Sequence, residues 1–152
     1  MKYNLENINS LNENVTFDFF KHYDSKILRK FKKNYSVTVK TEYGKMDIRN
    51  RLLNTKHRDI IGAIFKCGSI QEEENGDIAV FVHLIDVLKE LGMQIKDLEI
   101  LIENIKQISD VLFYILRESR ALRILKSYEC SDNNLSIIFS QKFLQLEEYK
   151  FI

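Results

Sequence analysis

A basic stretch near the N-terminus holds the side chains best suited to chemistry with an anionic partner. Residues 21–40 contain seven Lys or Arg against one acid, Asp24, with Asp18 just before them and Phe and Tyr in between. Cations on such a segment can contact nucleic-acid phosphates, which gives affinity that depends on salt rather than on base sequence. The alternative is an amphipathic helix whose charged side faces water. The residues predicted to contact DNA here are Lys26, Arg29, Lys30, Lys32 and Lys33.

A second basic group lies between residues 117 and 126. Its members are Arg117, Arg120, Arg123 and Lys126. If this region forms a β-ribbon beside a DNA-binding helix, its cations would run along the phosphate backbone. The alternative is an exposed hairpin that has no partner. DNA contacts are predicted for Arg120, Arg123 and Lys126.

The segment 94–106 has a few residue types that read bases, but it is not basic. The possible donors to groove edges are Gln94, Lys96, Asn104 and Lys106. Lys96 is included among the predicted DNA contacts. Glu99 and Glu103, one helical turn apart, would repel phosphates, so deep insertion into a major groove is not expected. The wide apolar pattern of the same segment instead favours a helix–helix or sheet-mediated dimer contact.

Side chains that could catalyse a reaction or hold a metal are scattered along the chain. His22, His57 and His83 lack the paired spacing of a metal site, and His83 is expected to be a cap or core residue. We find no glycine-rich phosphate loop, no Gly-x-Ser-x-Gly elbow and no Cys-x-x-Cys pair. The acidic triplet Glu72–Glu74 is typical of a solvated loop. We therefore expect no enzymatic activity, no metal and no cofactor.

Length and composition limit the class of protein. A chain of 152 residues that is 45% apolar fits one domain with a real core, and a net charge of +1 provides no overall field for nucleic acid. Cys67 and Cys130 are expected to be reduced core thiols rather than a disulfide. No segment reaches the roughly 18 apolar residues of a membrane span, and the N-terminus lacks a signal pattern. A cytoplasmic protein without a membrane partner is expected.

Apolar periodicity predicts the elements that must position these side chains. Residues 17–31 carry an apolar stripe at three- and four-residue steps, which indicates a helix, and Tyr35–Tyr43 alternate as a strand does. Asn54 or Thr55 can begin the next helix, which Gly68 ends.

The following segment predicts two helices that meet at a tight corner. Asp77–Val82 reads as a short strand that leads into an apolar helix near His83–Leu91. Gly92 stops this helix, and a second amphipathic helix begins near Lys96. This is the outline of a helix-turn-helix.

After Gln107 the apolar pattern alternates, which predicts strands over residues 111–115, 122–128 and 135–139, with a turn over Ser131–Asn134 before the last of them. Continuation of the long helix through Leu116 is the alternative. A closing helix is predicted over Gln141–Tyr149. The predicted fold class is α+β, a winged helix-turn-helix with a small antiparallel sheet. An N-terminal arm (residues 1–16) precedes this winged-helix domain (residues 17–152).

Three strings resemble the first winged-helix domain of plasmid replication-initiation (Rep) proteins. They are Leu52–Phe65 (LLNTKHRDIIGAIF), Asp86–Gly92 (DVLKELG) and Leu135–Phe143 (LSIIFSQKF). The segment 17–43 is also similar to the lead-in of some broad-host-range initiators. The resemblance covers roughly residues 17–150, and its motifs are mostly apolar spacing with Leu-Gly at the turn.

The resemblance implies a function in plasmid replication initiation or its control. Initiators of this family bind repeated sequences at the plasmid origin and recruit host replication proteins. They usually have two winged-helix domains, of which the first commonly dimerises and contacts the DNA backbone. A chain of this length is too short for both, so we expect one domain of a longer protein or a stand-alone relative.

The predicted function is therefore that of a DNA-binding, dimerising winged-helix domain. Its expected partners are double-stranded DNA, a second copy of the chain and host replication proteins. One alternative is a protein-interaction module without nucleic-acid binding, which the near-zero net charge favours. A winged-helix transcriptional repressor is the other alternative.

Overall fold

The computed structural model describes residues 2–4, 19–20, 36–41 and 44–152. Within these residues the fold is α+β, with four helices and two small sheets. The helices are α1 (Thr55–Cys67), α2 (Leu84–Glu90), α3 (Leu98–Asp110) and α4 (Gln141–Leu146). The strands are β1 (Lys2–Asn4), β2 (Ser36–Thr41), β3 (Gly44–Arg49), β4 (Ser69–Glu72), β5 (Ile78–His83), β6 (Leu112–Ile115), β7 (Arg120–Leu122), β8 (Leu125–Ser131) and β9 (Asn134–Phe139).

The chain divides into two compact units. Unit 1 contains Met1–Thr55 and Asp110–Leu122, and unit 2 contains Lys56–Ser109 and Arg123–Ile152. Each unit has its own sheet. The predicted boundary at residue 17 lies outside the described residues.

Unit 1 contains a five-stranded sheet in the order β1-β2-β3-β6-β7. The β1–β2 pair is parallel and the other neighbouring pairs are antiparallel. Met46 and Ile48 alternate on β3 and are buried opposite Ile115 and Phe113 of β6, as a half-buried sheet requires. The ring of Phe19 meets Phe113 edge to face, with centroids 4.8 Å apart.

A buried carboxylate lies between the two apolar positions of β3. Asp47 is buried, and its Oδ1 accepts a hydrogen bond of 2.7 Å from the hydroxyl of Thr38, its cross-strand neighbour on β2. The Arg49 guanidinium also donates to Asp47, at 3.4 Å. These bonds satisfy a charged group that would otherwise be costly to bury.

Unit 2 contains a four-stranded antiparallel sheet in the order β4-β5-β9-β8. Apolar side chains at alternate positions of β5 and β9 are buried on one face; these are Ile78, Val80, Val82, Leu135, Ile137 and Phe139. Helix α1 covers this face, and the rings of Phe65 and Phe139 lie 4.6 Å apart. Gly68 follows α1 because a Cβ there would lie 2.3 Å from Val80 Cγ1.

Several predicted elements of unit 2 are confirmed. The helix after Asn54, the strand before His83, the helix break at Gly92 and the strand near residues 135–139 all form. The closing helix forms but ends at Leu146, because Glu148 and Tyr149 adopt left-handed backbone angles, with φ of 54° and 55°.

After residue 107 one prediction is confirmed and one is wrong. The strand predicted over residues 111–115 forms as β6, and the alternative of a helix that continues through Leu116 does not apply, because α3 ends at Asp110. The single strand predicted over residues 122–128 is two strands. Leu122 ends β7 opposite Phe113, whereas Leu125 begins β8 opposite Phe139.

Three strands were not predicted. They are β1, which lies in the predicted N-terminal arm, β3, which has only two apolar residues, and β4, which is exposed at all four positions. The strand predicted at Tyr35–Tyr43 is confirmed as β2. The helix predicted over residues 17–31 lies outside the described residues, apart from Phe19 and Phe20.

Candidate nucleic-acid interface

The corner between α2 and α3 depends on Gly92. Its φ of +70° is a left-handed conformation, and the amide N–H groups of Gly92 and Met93 donate to the carbonyls of Lys89 and Leu88 at 3.1 and 2.8 Å. This is a Schellman motif, which satisfies the last carbonyls of a helix. Asp97 then caps the next turn, because its carboxylate accepts a bond of 2.9 Å from the Gln94 amide.

Helix α3 has one buried face and one exposed face. Leu101, Ile105 and Ile108 are buried. The outward positions are exposed and combine acidic, basic and apolar side chains; they are Glu99, Ile100, Glu103 and Lys106. Ile100 is 49% exposed, and Ile95 in the preceding 3-10 turn is 70% exposed. This surface suits a protein partner better than phosphates.

The β8–β9 hairpin follows α3 in unit 2 and turns through two residues. Asp132 and Asn133 both have positive φ, of 50° and 66°, between the paired residues Ser131 and Asn134. Two consecutive left-handed residues define a type I′ turn, for which Asn and Asp are suited. A turn was predicted here from the sequence, and the Asp132–Asn133 pair is the sequence signal for it.

The hairpin tip is held close to α2. The Asn133 carbonyl accepts a hydrogen bond of 2.8 Å from the amide of Leu84, the first residue of α2. The last β5–β9 pair is His83 with Asn134, so the tip extends only one two-residue turn beyond that pair. The tip carries Asp132 and no cation. A hairpin of this kind has little to offer a phosphate backbone.

The predicted cations are distributed over both units. Lys96 is exposed in the 3-10 turn before α3. Arg123 precedes the hairpin and donates to the Ser109 carbonyl at 3.2 Å, while Lys126 lies 3.8 Å from the buried carboxylate of Asp77. Arg120 is exposed on β7 of unit 1. The prediction that Arg120 lies on the β-ribbon is therefore wrong, because the chain changes sheets between Leu122 and Leu125.

The cations of the basic stretch lie outside the described residues. They are Lys26, Arg29, Lys30, Lys32 and Lys33. Their assignment to DNA therefore remains a prediction from the sequence.

The carboxylate of Asp77 holds the side chain of Lys126 in place. Its carboxylate accepts hydrogen bonds from the Gln141 amide at 2.8 Å and from the Asn75 side chain at 3.0 Å. It thereby ties the β4–β5 loop to the first residue of α4. Lys126 completes this group at 3.8 Å, a long ion pair whose cation is largely exposed.

Sequence reasoning missed a groove on the outer face of the four-stranded sheet. Its volume is about 600 Å³, and its lining includes Ser69, Phe81, His83, Glu129 and Ser136. Phe81, one of the lining residues, is 50% exposed. The alternation of β5 is the signal that could have found it, because Phe81 shares a face with Ala79 and His83 while Val80 and Val82 face the core.

The described histidines have separate surroundings. His57 is buried and its Nε2 lies 2.8 Å from Gln107 Oε1, which joins α1 to α3. His83 is the N-cap residue of α2, so the expected cap position is confirmed, although its side chain makes no capping hydrogen bond. A core role is wrong, because the side chain is exposed. Within the described part of the chain, no three His, Cys, Asp or Glu residues are placed to hold a metal ion.

Two further findings bear on the class of protein. None of the helices that the structure describes is both long and apolar enough to cross a membrane. Comparison of the chain with known protein families, curated proteins and solved structures found no match.

Proposed function

We propose that the chain is a winged-helix domain of the plasmid replication-initiator kind, which dimerises and holds DNA through phosphate contacts. Its role would be in replication initiation or its control. The observation that carries the proposal is the order of elements in unit 2, where α1, β4 and β5 precede α2, the Gly92 corner, α3 and the β8–β9 hairpin. Two helices that meet at a corner, followed by a β-ribbon, make up the core of a winged helix-turn-helix.

Within this proposal, α3 does not read bases. Glu99 and Glu103 occupy its exposed face, and the donors that remain there are few. Arg123 and Lys126 already contact Ser109 and Asp77. The phosphate contacts are therefore assigned to the basic stretch, and affinity should depend on salt more than on DNA sequence.

A gel-shift titration against salt tests the proposal. Lys30→Glu with Lys33→Glu should weaken binding about equally for two unrelated duplexes, because phosphates carry no sequence information. The slope of log affinity against log salt should fall by about 2, since each lost phosphate contact removes about 0.9. The matched control is Lys89→Glu with Lys150→Glu, which makes the same charge change at two exposed lysines of unit 2. Absence of binding at low ionic strength would refute DNA binding.

A specific observation favours a second candidate, a protein-interaction module without nucleic-acid binding. The exposed face of α3 places Ile95 and Ile100 beside two glutamates, a combination that attracts a protein more readily than DNA. A stable dimer that leaves both duplexes unshifted in the same titration would support this candidate over the first.

A further inference from the structure

We propose that the exposed face of α3 forms the homodimer contact, with the α3 helices of two copies packed antiparallel about Ile100. This inference rests on the proposed function for the existence of a dimer, and it goes further by naming the surface. Three observations carry it: exposed apolar side chains, unpaired charges beside them, and the order of those charges along the helix.

The apolar part consists of Ile95 and Ile100, which are 70% and 49% exposed. Ile100 lies on α3 and Ile95 in the 3-10 turn before it, while Leu101 and Ile105 of α3 are fully buried in the core of unit 2. A rigid helix that presents exposed isoleucine gains free energy when a partner removes that surface from water.

Charged side chains lie beside these isoleucines. Lys96, Glu99 and Glu103 are exposed, and among the described residues none of them forms an ion pair. Glu99 and Glu103 stand one helical turn apart, where like charges repel. A cation from a second molecule would relieve this repulsion.

The second copy supplies that cation if the helices run antiparallel. Lys96 lies four residues before Ile100 and Glu103 lies three residues after it. At about 2.0 Å per residue in the 3-10 turn and about 1.5 Å per residue in α3, these offsets are about 7 and 4.5 Å. A two-fold axis between Glu99 and Ile100 therefore places each Lys96 opposite Glu103 of the other copy. Two ion pairs then flank an Ile100–Ile100 contact.

The same charges disfavour neighbouring registers. If the axis moved to residue 101, Glu99 would face Glu103 and Lys96 would face Lys106 of the second copy, so that every close pair would carry like charges. Like-charge juxtaposition is a means by which helices exclude wrong registers. In the register centred near Ile100 the two Glu99 side chains approach each other across the axis, but two attractive Lys96–Glu103 pairs outnumber this one like-charge pair. The α3 face is thus self-complementary in that register.

Charge exchange in analytical ultracentrifugation tests the inference. Lys96→Glu alone and Glu103→Lys alone should each weaken the dimer about tenfold in Kd, because two attractive pairs become repulsive. The double variant Lys96→Glu with Glu103→Lys should return to within about threefold of the wild-type Kd, since both pairs are restored. Lys89→Glu on α2 is the control for the charge change itself and should leave the dimer intact.

Mixing the two single variants gives the sharpest result. In a mixed dimer both pairs are attractive again, so a heterodimer of Lys96→Glu with Glu103→Lys should form in preference to either homodimer. A size tag on one variant makes the three species separable. Parallel packing would also favour the mixed dimer, because each position would then face the opposite charge. The single variants distinguish the two arrangements, since parallel helices already place Lys96 opposite Lys96 and each single exchange would leave the number of like-charge pairs unchanged.

Three outcomes would overturn the inference: a monomeric wild-type chain, a dimer that the single variants leave unchanged, and random mixing of the two variants. Its failure is distinguishable from failure of the proposed function. A chain that binds DNA but stays monomeric refutes the α3 dimer alone. A charge-sensitive dimer that shifts no duplex refutes the DNA contacts and leaves the α3 dimer standing.

Discussion

Partial burial raises the pKa of the thiols of Cys67 and Cys130. For Cys67 the nearby carboxylates of Glu90 and Asp86 add to the effect, because a negative charge disfavours the thiolate. Both cysteines are free, as expected. The prediction that both are core residues is wrong. Cys67 is only half-buried, and Cys130 is exposed on β8, an edge strand of its sheet.

The raised pKa predicts slow thiol chemistry at neutral pH. The thiolate is the reactive form, so a higher pKa leaves less of it at a given pH. Alkylation of either cysteine by iodoacetamide should be slower than that of free cysteine, and its rate should still rise at pH values where free cysteine has reached its plateau. Mass spectrometry resolves the two sites, and Cys130→Ser confirms the assignment. A plateau at lower pH than free cysteine would contradict the prediction.

At the scale of elements, alanine substitutions of Gly62 and Gly92 test what stabilises α1 and the α2–α3 corner. A Cβ at either position would meet nothing within 4 Å, so space is not the difference between them. Gly62 lies in the middle of α1, whereas Gly92 has a φ of +70°. The backbone conformation alone should therefore decide the sign of an alanine substitution.

Gly62→Ala should stabilise the chain by about 0.5–1 kcal/mol, because glycine costs conformational entropy inside a helix. Gly92→Ala should destabilise it by about 1 kcal/mol, because alanine resists the left-handed region. Urea unfolding of both variants beside the wild type measures the change in free energy of unfolding. Two shifts of the same sign would show that the corner does not depend on the Gly92 backbone.

The β8–β9 turn gives a second test at this scale. Asn133 has a φ of 66°, which a β-branched side chain tolerates poorly. Asn133→Val should destabilise the chain by about 1–2 kcal/mol, whereas Asn133→Gly should stay within about 0.5 kcal/mol of wild type. Both variants keep the carbonyl that accepts from Leu84, so the comparison isolates the turn. If thermal unfolding showed equal stability for Asn133→Val and Asn133→Gly, the result would argue against a type I′ turn.

At the scale of the whole molecule, charge is nearly balanced. The chain carries 23 Lys and Arg against 22 Asp and Glu, so long-range steering of a polyanion is weak. DNA affinity must then come from local contacts, which are screened within about 10 Å at 0.1 M salt. The proposed dimer is also partly ionic, so salt alone does not separate the two interactions. Concentration dependence does, because only dimerisation follows the concentration of the chain in the absence of DNA.

Local pattern was sufficient for many of the elements. The apolar stripe of α1, the glycine at the end of α2 and the Asp-Asn turn before β9 each act over a few residues. Helix periodicity, left-handed backbone preference and turn chemistry are properties of short segments. Those predictions are confirmed for this reason.

Tertiary structure decided the sheet to which each strand belongs and the side chains that stay exposed. Leu122 and Leu125 have the same apolar character, yet their partners are Phe113 and Phe139, in different units. Pairing of β3 with β6 joins residues more than 60 positions apart, and no local pattern specifies it. Exposure of Ile100 likewise depends on what packs against α3. Such properties depend on distant segments, because burial and strand pairing are settled only when those segments meet.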